Sequence, residues 1–208
     1  MLLSTMGTGF TSSAGLIVCI GSQNAFVLRQ GLQRTHLFAV ASVCILSDVI
    51  LISAGISGLG FLIDEWPSMI QLMRFGGALF LAINAFSAFK RAWAGAGKLM
   101  PSEQTMPSRN QIILSCIGYT WLNPHVYIDT VLMLGSLSMH YVGMEKWKFG
   151  LGAISASALW FIAITYGARL LLPLFKTNTA WRVLDGAIAV MMIYLCVTLL
   201  IPSQSLNI

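Results

Sequence analysis

Apolar positions dominate the chain in six long runs, and polar positions collect in the gaps between them. The runs cover residues 6–28, 37–63, 68–89, 111–139, 147–172 and 181–201. A bilayer's hydrocarbon core takes about 20 apolar residues per helix, and each run is long enough. The strict alternation of an outer-membrane barrel is missing, and open strands cannot cross lipid. The pattern therefore predicts an all-α integral membrane protein of six transmembrane helices. The fourth run is too long for one straight span and contains Asn123-Pro124, so it is expected to tilt, kink or break there.

The gaps are short except for the stretch from Lys90 to Asn110, which is basic and rich in glycine and proline. It reads as a connector (93–110) inside one transporter-sized domain (1–208), between a first three-helix half (1–92) and a second (111–208). Basic residues count nine in the first, third and fifth gaps and three on the other side. By the positive-inside rule both termini then lie outside the cytoplasm, provided every run crosses fully.

Composition supports the same class. Of 208 residues, 57% are hydrophobic and 9% charged, against about 25% charged in a soluble domain. That balance excludes a soluble enzyme, a disordered chain and a disulfide-stapled secreted domain. The net charge of +5 lies in the gaps, where it serves topology and lipid headgroups rather than nucleic acid. Cys19, Cys44, Cys116 and Cys196 each stand alone in an apolar run and read as lipid- or core-facing residues. Met1-Leu2-Leu3-Ser4 has no basic region ahead of the first run, so no cleaved signal is expected. Trp66, Trp147 and Trp181 fall at run ends, as an interfacial belt requires.

Two acids lie deep in the runs. Asp48 and Asp129 are each about 15 Å along a helix from a run end, near the middle of a core about 30 Å thick. Each costs about 2.5–3.5 kcal/mol to insert. Fixed cations near them are scarce: the lysines and arginines sit in gaps or near run ends, with Arg74 the deepest. Either the acids are protonated and bonded to Ser47, Ser53, Thr130 or backbone, or they meet a mobile cation: a proton, a metal ion or a cationic solute. Intramembrane acids are functional by default.

Two polar segments flank them, Gly21-Ser22-Gln23-Asn24-Ala25-Phe26 and Trp121-Leu122-Asn123-Pro124-His125. Amides and a proline inside apolar helices suit unwound stretches whose free backbone groups hold a solute. The two segments lie one in each half, and three spans plus three give an inverted repeat if the halves are homologous. His125 can titrate near neutral pH or serve as a structural donor. His36 and His140 sit at run ends. Gly76-Gly77 and the small-residue stretch from Gly150 to Ala158 suit close helix packing or a homodimer face. Asp185 lies one turn into the last run beside Arg182, the default for a surface ion pair. No HExxH is present, and Asp185-Gly186 begins a lipid-headgroup transferase motif whose remaining residues are missing, so enzymatic chemistry is not expected. No cofactor or metal is called for.

Ile20 to Gly31, Ile45 to Ile52, Thr120 to Thr130 and Gly152 to Ser157 with Trp160-Phe161 resemble the LysE/ArgO exporters of basic amino acids, most of all the arginine-exporting branch. The resemblance runs over nearly the whole chain. It implies a bacterial inner-membrane exporter of lysine or arginine, driven by the proton gradient or membrane potential. It places Asp48 and Asp129 in the family's acidic positions, and Gln23, Asn24, Asn123 and Pro124 in its polar motifs. On this basis Asp48, Asp129, Gln23, Asn24, Asn123 and His125 are the candidates for binding substrate or protons, with the helix breaks at Gly21, Ser22 and Pro124. The family usually has proline where this chain has Ser22, and serine can still leave the helix locally unwound. Export of another solute, a neutral amino acid or a metal cation, is the alternative.

Overall fold

The computed structural model describes residues 2–18, 21–58, 67–94, 108–175 and 177–200, and these are helical apart from short turns. The helices are α1 (Leu2–Ile17), α2 (Ser22–Gln33), α3 (Leu37–Ile56), α4 (Pro67–Ala94) and α5 (Arg109–Trp121). The composite helix α6 follows, built from Pro124–Tyr127, a π-helical segment Ile128–Met133, and Leu134–Ser138. Helix α7 (Met144–Gly167) runs on into 3-10 turns at Ala168–Phe175, and α8 is Asn178–Leu200.

Side chains are distributed as in a membrane protein. Phe75, Leu79, Ile83 and Phe86 form an exposed stripe on α4, and Val183, Val190 and Tyr194 do so on α8. Ser22, Gln23, Asn24, Arg29, Asp48, Thr120, Thr165 and Asp185 are buried. In water this would expose the apolar residues and hide the polar ones. In lipid it lowers the free energy of both.

By length and composition α3, α7 with its 3-10 extension, and α8 can each cross a bilayer, and the bent pair α1–α2 can count as a fourth span. The first run is therefore not one straight helix: α1 and α2 are bent by 83°. The fourth run is divided at Leu122–Pro124 into α5 and α6, each shorter than a bilayer crossing. α4, at 28 residues, has the length, but Gln71, Arg74, Asn84, Ser87, Lys90 and Arg91 dilute its hydropathy.

Among the described residues three apolar clusters bind the helices. Ala25, Leu81, Ala85, Ala88, Tyr119, Ile188, Ala189 and Met192 join α2, α4, α5 and α8. Val27, Val40, Cys44, Ile112, Cys116 and Phe161 join α2, α3, α5 and α7. Ile52, Ile56, Leu134, Phe149 and Ala153 join α3, α6 and α7. The small-residue stretch of α7 is spent inside the chain, since a Cβ at Gly152 would run into the Met6 carbonyl of α1. At Gly55 a Cβ would lie 2.7 Å from the Thr130 carbonyl, so only glycine lets α3 seat the π-helical segment backbone to backbone.

Candidate functional site

Both helix breaks begin a new helix at one cavity. At the first, Gly21 is extended (φ −108°, ψ 176°) and Ser22 is the first residue of α2. Asn24 fastens the break from both sides: its Nδ2 donates to the Ile17 carbonyl at the end of α1 (2.7 Å), and its Oδ1 accepts from Trp160 Nε1 (3.2 Å). At the second break Asn123 is extended, Pro124 opens α6, and Asn123 Oδ1 accepts from the His125 N–H (3.1 Å). This is an N-cap followed by proline at the position that needs no donor. The carbonyl released at Trp121 accepts from the Tyr127 hydroxyl (2.9 Å).

The missing proline thus does not abolish the first break. Ser22 occupies the helix position where proline is favoured, and Gly21 already has the extended backbone that precedes proline. Ser22→Pro is expected to fold normally and to raise stability by about 0.4–1 kcal/mol through a stiffer unfolded chain, read from thermal unfolding in detergent.

The cavity holds about 170 Å³ and is lined by Leu16, Ile17, Gly21, Gln23, Asn24, Asp48, Asn123, His125, Val126, Asp129, Thr130, Phe161 and Leu195. The structure therefore brings together all six candidate side chains, from both halves of the chain. Asp48 is 4% exposed, and its Oδ2 accepts from the Ser157 hydroxyl (2.5 Å). Asp129 is only partly buried and sits in the π-helical segment, one turn after His125. π-Helical turns of this kind are frequent at functional sites because the widened turn re-aims a side chain. Gln23 lies beside the Cys44 thiol, and its Nε2 is buried with no hydrogen-bond partner among the described residues.

The partners of Asp48 differ from those expected. Ser47 instead accepts from Trp121 Nε1 (3.1 Å), and Thr130 donates to the Val126 carbonyl (2.6 Å). Ser157 comes from the α7 stretch that the sequence marked for packing, in which Gly150 already sits close against Ile56 of α3. Sequence reasoning gave Ser157 and Trp160 no such roles, because a hydroxyl or indole facing a distant helix leaves no local signature.

Two further expectations are corrected. Asp185 is no surface acid: it is 1% exposed, and its Oδ1 is shared by Arg29 Nη1 and Arg91 Nε, the latter at 3.2 Å. Arg29, placed by sequence in a gap, is itself 8% exposed. Fixed cations are therefore present in the interior, though they serve Asp185, whereas no arginine or lysine pairs with Asp48 or Asp129 among the described residues. Cys44 and Cys116 are buried free thiols, as core-facing residues would be, and their sulfurs meet 3.2 Å apart between α3 and α5. Cys19, Trp66 and the side chain of Arg74 lie outside the described residues.

Comparison with known proteins places this architecture. The model of the LysE type translocator family matches residues 14–203. The chain belongs to the LysE type translocator family. A putative amino-acid transporter of Mycobacterium tuberculosis is 43% identical to it over 91% of this chain and 94% of its own. The arginine exporter protein ArgO of Serratia proteamaculans is 38% identical over 92% of this chain and 93% of its own. ArgO of Salmonella typhimurium is 39% identical, covering 92% and 90%. No solved structure matches. The resemblance drawn from the Gln-Asn and Asn-Pro-His…Asp segments is thereby borne out, and LysE family membership makes this protein a translocator rather than an enzyme.

Proposed function

We propose that this LysE family protein is a secondary transporter that exports basic amino acids, arginine or lysine, from the cytoplasm across the bacterial inner membrane. The observation that carries the reading is one cavity lined by two carboxylates that pair with no arginine or lysine among the described residues. Two positive groups (ammonium and guanidinium, or two ammoniums) match Asp48 and Asp129. The substrate carboxylate matches the buried Gln23 Nε2, which lies beside the Cys44 thiol with no close hydrogen bond among the described residues, and the N-terminal end of α2, whose dipole favours an anion. Asn24 and Asn123 shape the site through the breaks they fasten, and His125, beside Asp129, can pass a proton during coupling. The names of the ArgO relatives favour arginine.

The transport cycle in this reading is alternating access between two inverted three-span halves. The packing supports it, because contacts recur when the halves are exchanged. Helix α1 packs on α7 as α5 packs on α3, while α3 packs on α7 and α4 on α8. The broken pairs α1–α2 and α5–α6 each come first in chain order within their half. Each half would then count its broken pair as one span.

The test is efflux from vesicles that contain the purified protein and are loaded with labelled arginine, lysine or a neutral amino acid. Arginine and lysine are expected to leave at rates dependent on the protein. Release of the neutral compound alone would reject the proposed substrate.

A further inference from the structure

Helix α7 supports the cavity from outside with two donors on one face. Ser157 and Trp160 stand three positions apart, the spacing of neighbours along a helix side. The Ser157 hydroxyl donates to Asp48 of α3 (2.5 Å), and Trp160 Nε1 donates to Asn24 Oδ1 of α2 (3.2 Å). Both acceptors belong to residues that line the cavity. Ser157 is fully buried, and among the described residues no other hydrogen bond reaches the Asp48 carboxylate. Helices α2 and α3 each pack more extensively on α7 than on one another. Their cavity groups are therefore placed less by direct contact than by a shared support, with its two donors about 4.5 Å apart along the axis.

We propose that Ser157 and Trp160 are positioning residues that set the spacing between the two ends of the substrate site, the cation end at Asp48 and the carboxylate end at the start of α2, which rests on reading the cavity as a basic amino-acid site. Ser157 holds one oxygen of Asp48 and so fixes how the carboxylate stands at the cavity wall. Trp160 acts through Asn24. The amide that accepts the indole N–H also donates to the Ile17 carbonyl (2.7 Å), so Trp160 steadies the break and with it Gln23, the residue before Asn24. Binding groups are held in productive geometry by such supporting hydrogen bonds. The Trp160 ring also packs against the cluster of Val27, Cys44 and Phe161, and phenylalanine in its place keeps a ring there while removing the N–H.

The test is calorimetric titration of the purified full chain with arginine and with agmatine, which is arginine without its carboxylate. W160F is expected to bind arginine about tenfold more weakly, the effect of depriving a buried acceptor of its donor, and agmatine as the wild type does. S157A is expected to weaken both compounds by about tenfold, since both carry the cationic end. Asn24→Ala supplies the second readout: N24A/W160F should bind arginine no more weakly than N24A alone. Equal losses of arginine and agmatine in W160F would assign Trp160 to the general fold and overturn its role, as would a further tenfold loss in the double variant. Unchanged affinity for both compounds in S157A overturns the role of Ser157. A wild type that binds neither compound rejects the basic amino-acid site itself, and this assignment with it, whereas a wild type that binds arginine confines any failure to the two positioning residues.

Discussion

Asp48→Asn is expected to lower arginine efflux about a hundredfold while leaving the fold in place. Asparagine has the same shape, and its Oδ1 can still accept from Ser157, as Asp48 Oδ2 does now at 2.5 Å. What disappears is the negative charge. A hydrogen bond to a charged group contributes about 1.5–3 kcal/mol, and in a site screened from water the upper end applies, which corresponds to about two decades in rate or affinity. Asp129→Asn should act in the same direction but less strongly, because Asp129 is less buried and water can take part of its role. Efflux from vesicles, normalised to protein inserted, measures both. Normal efflux from both variants would mean that the carboxylates are structural.

The largest effect on stability is expected at Asp185. Asp185→Ala leaves Arg29 buried in the interior without its carboxylate, and breaking a buried pair in this way costs about 3–5 kcal/mol. The loss spreads across three helices, because Asp185 connects α8 to Arg29 on α2 and Arg91 on α4. Ala25, Ala88 and Ile188, each one turn from a member of this group, belong to the apolar cluster that holds the same helices together. The single variant should therefore unfold at a much lower temperature in detergent, or fail to accumulate in the membrane. The paired change Arg29→Leu/Asp185→Leu should recover most of that loss, since apolar residues of similar volume often replace a buried pair without penalty. A single variant as stable as the wild type would show that the pair carries no load.

How much of this was legible beforehand depended on distance along the chain. The breaks were readable because their signals are local: Asn123-Pro124 is a helix start in any context, and Gly21 ahead of polar residues marks a stop inside an apolar run. Asp48 and Asp129 stood out because a charge far from either end of an apolar run is costly wherever the fold takes it. That they line one cavity has no local signature in the sequence, and the structure supplies it. Asp185 misled for the same reason in reverse. Arg182 is three residues away and offered an obvious partner, while the true partners, Arg29 and Arg91, lie 156 and 94 residues away. The partner of Asp48 was hidden likewise, since Ser157 is 109 residues distant. The span count was the weakest reading, because hydropathy windows measure apolar length and cannot register an 83° bend between α1 and α2.

The central claim is that the cavity selects its ligand by positive charge. Arginine and citrulline have nearly the same shape, but citrulline's side chain is neutral. Calorimetric titration of the purified protein with each compound, in wild type and Asp48→Asn, tests the claim directly. The wild type is expected to bind arginine and not citrulline, and Asp48→Asn to lose most of its affinity for arginine. Equal binding of the two compounds by the wild type would contradict it.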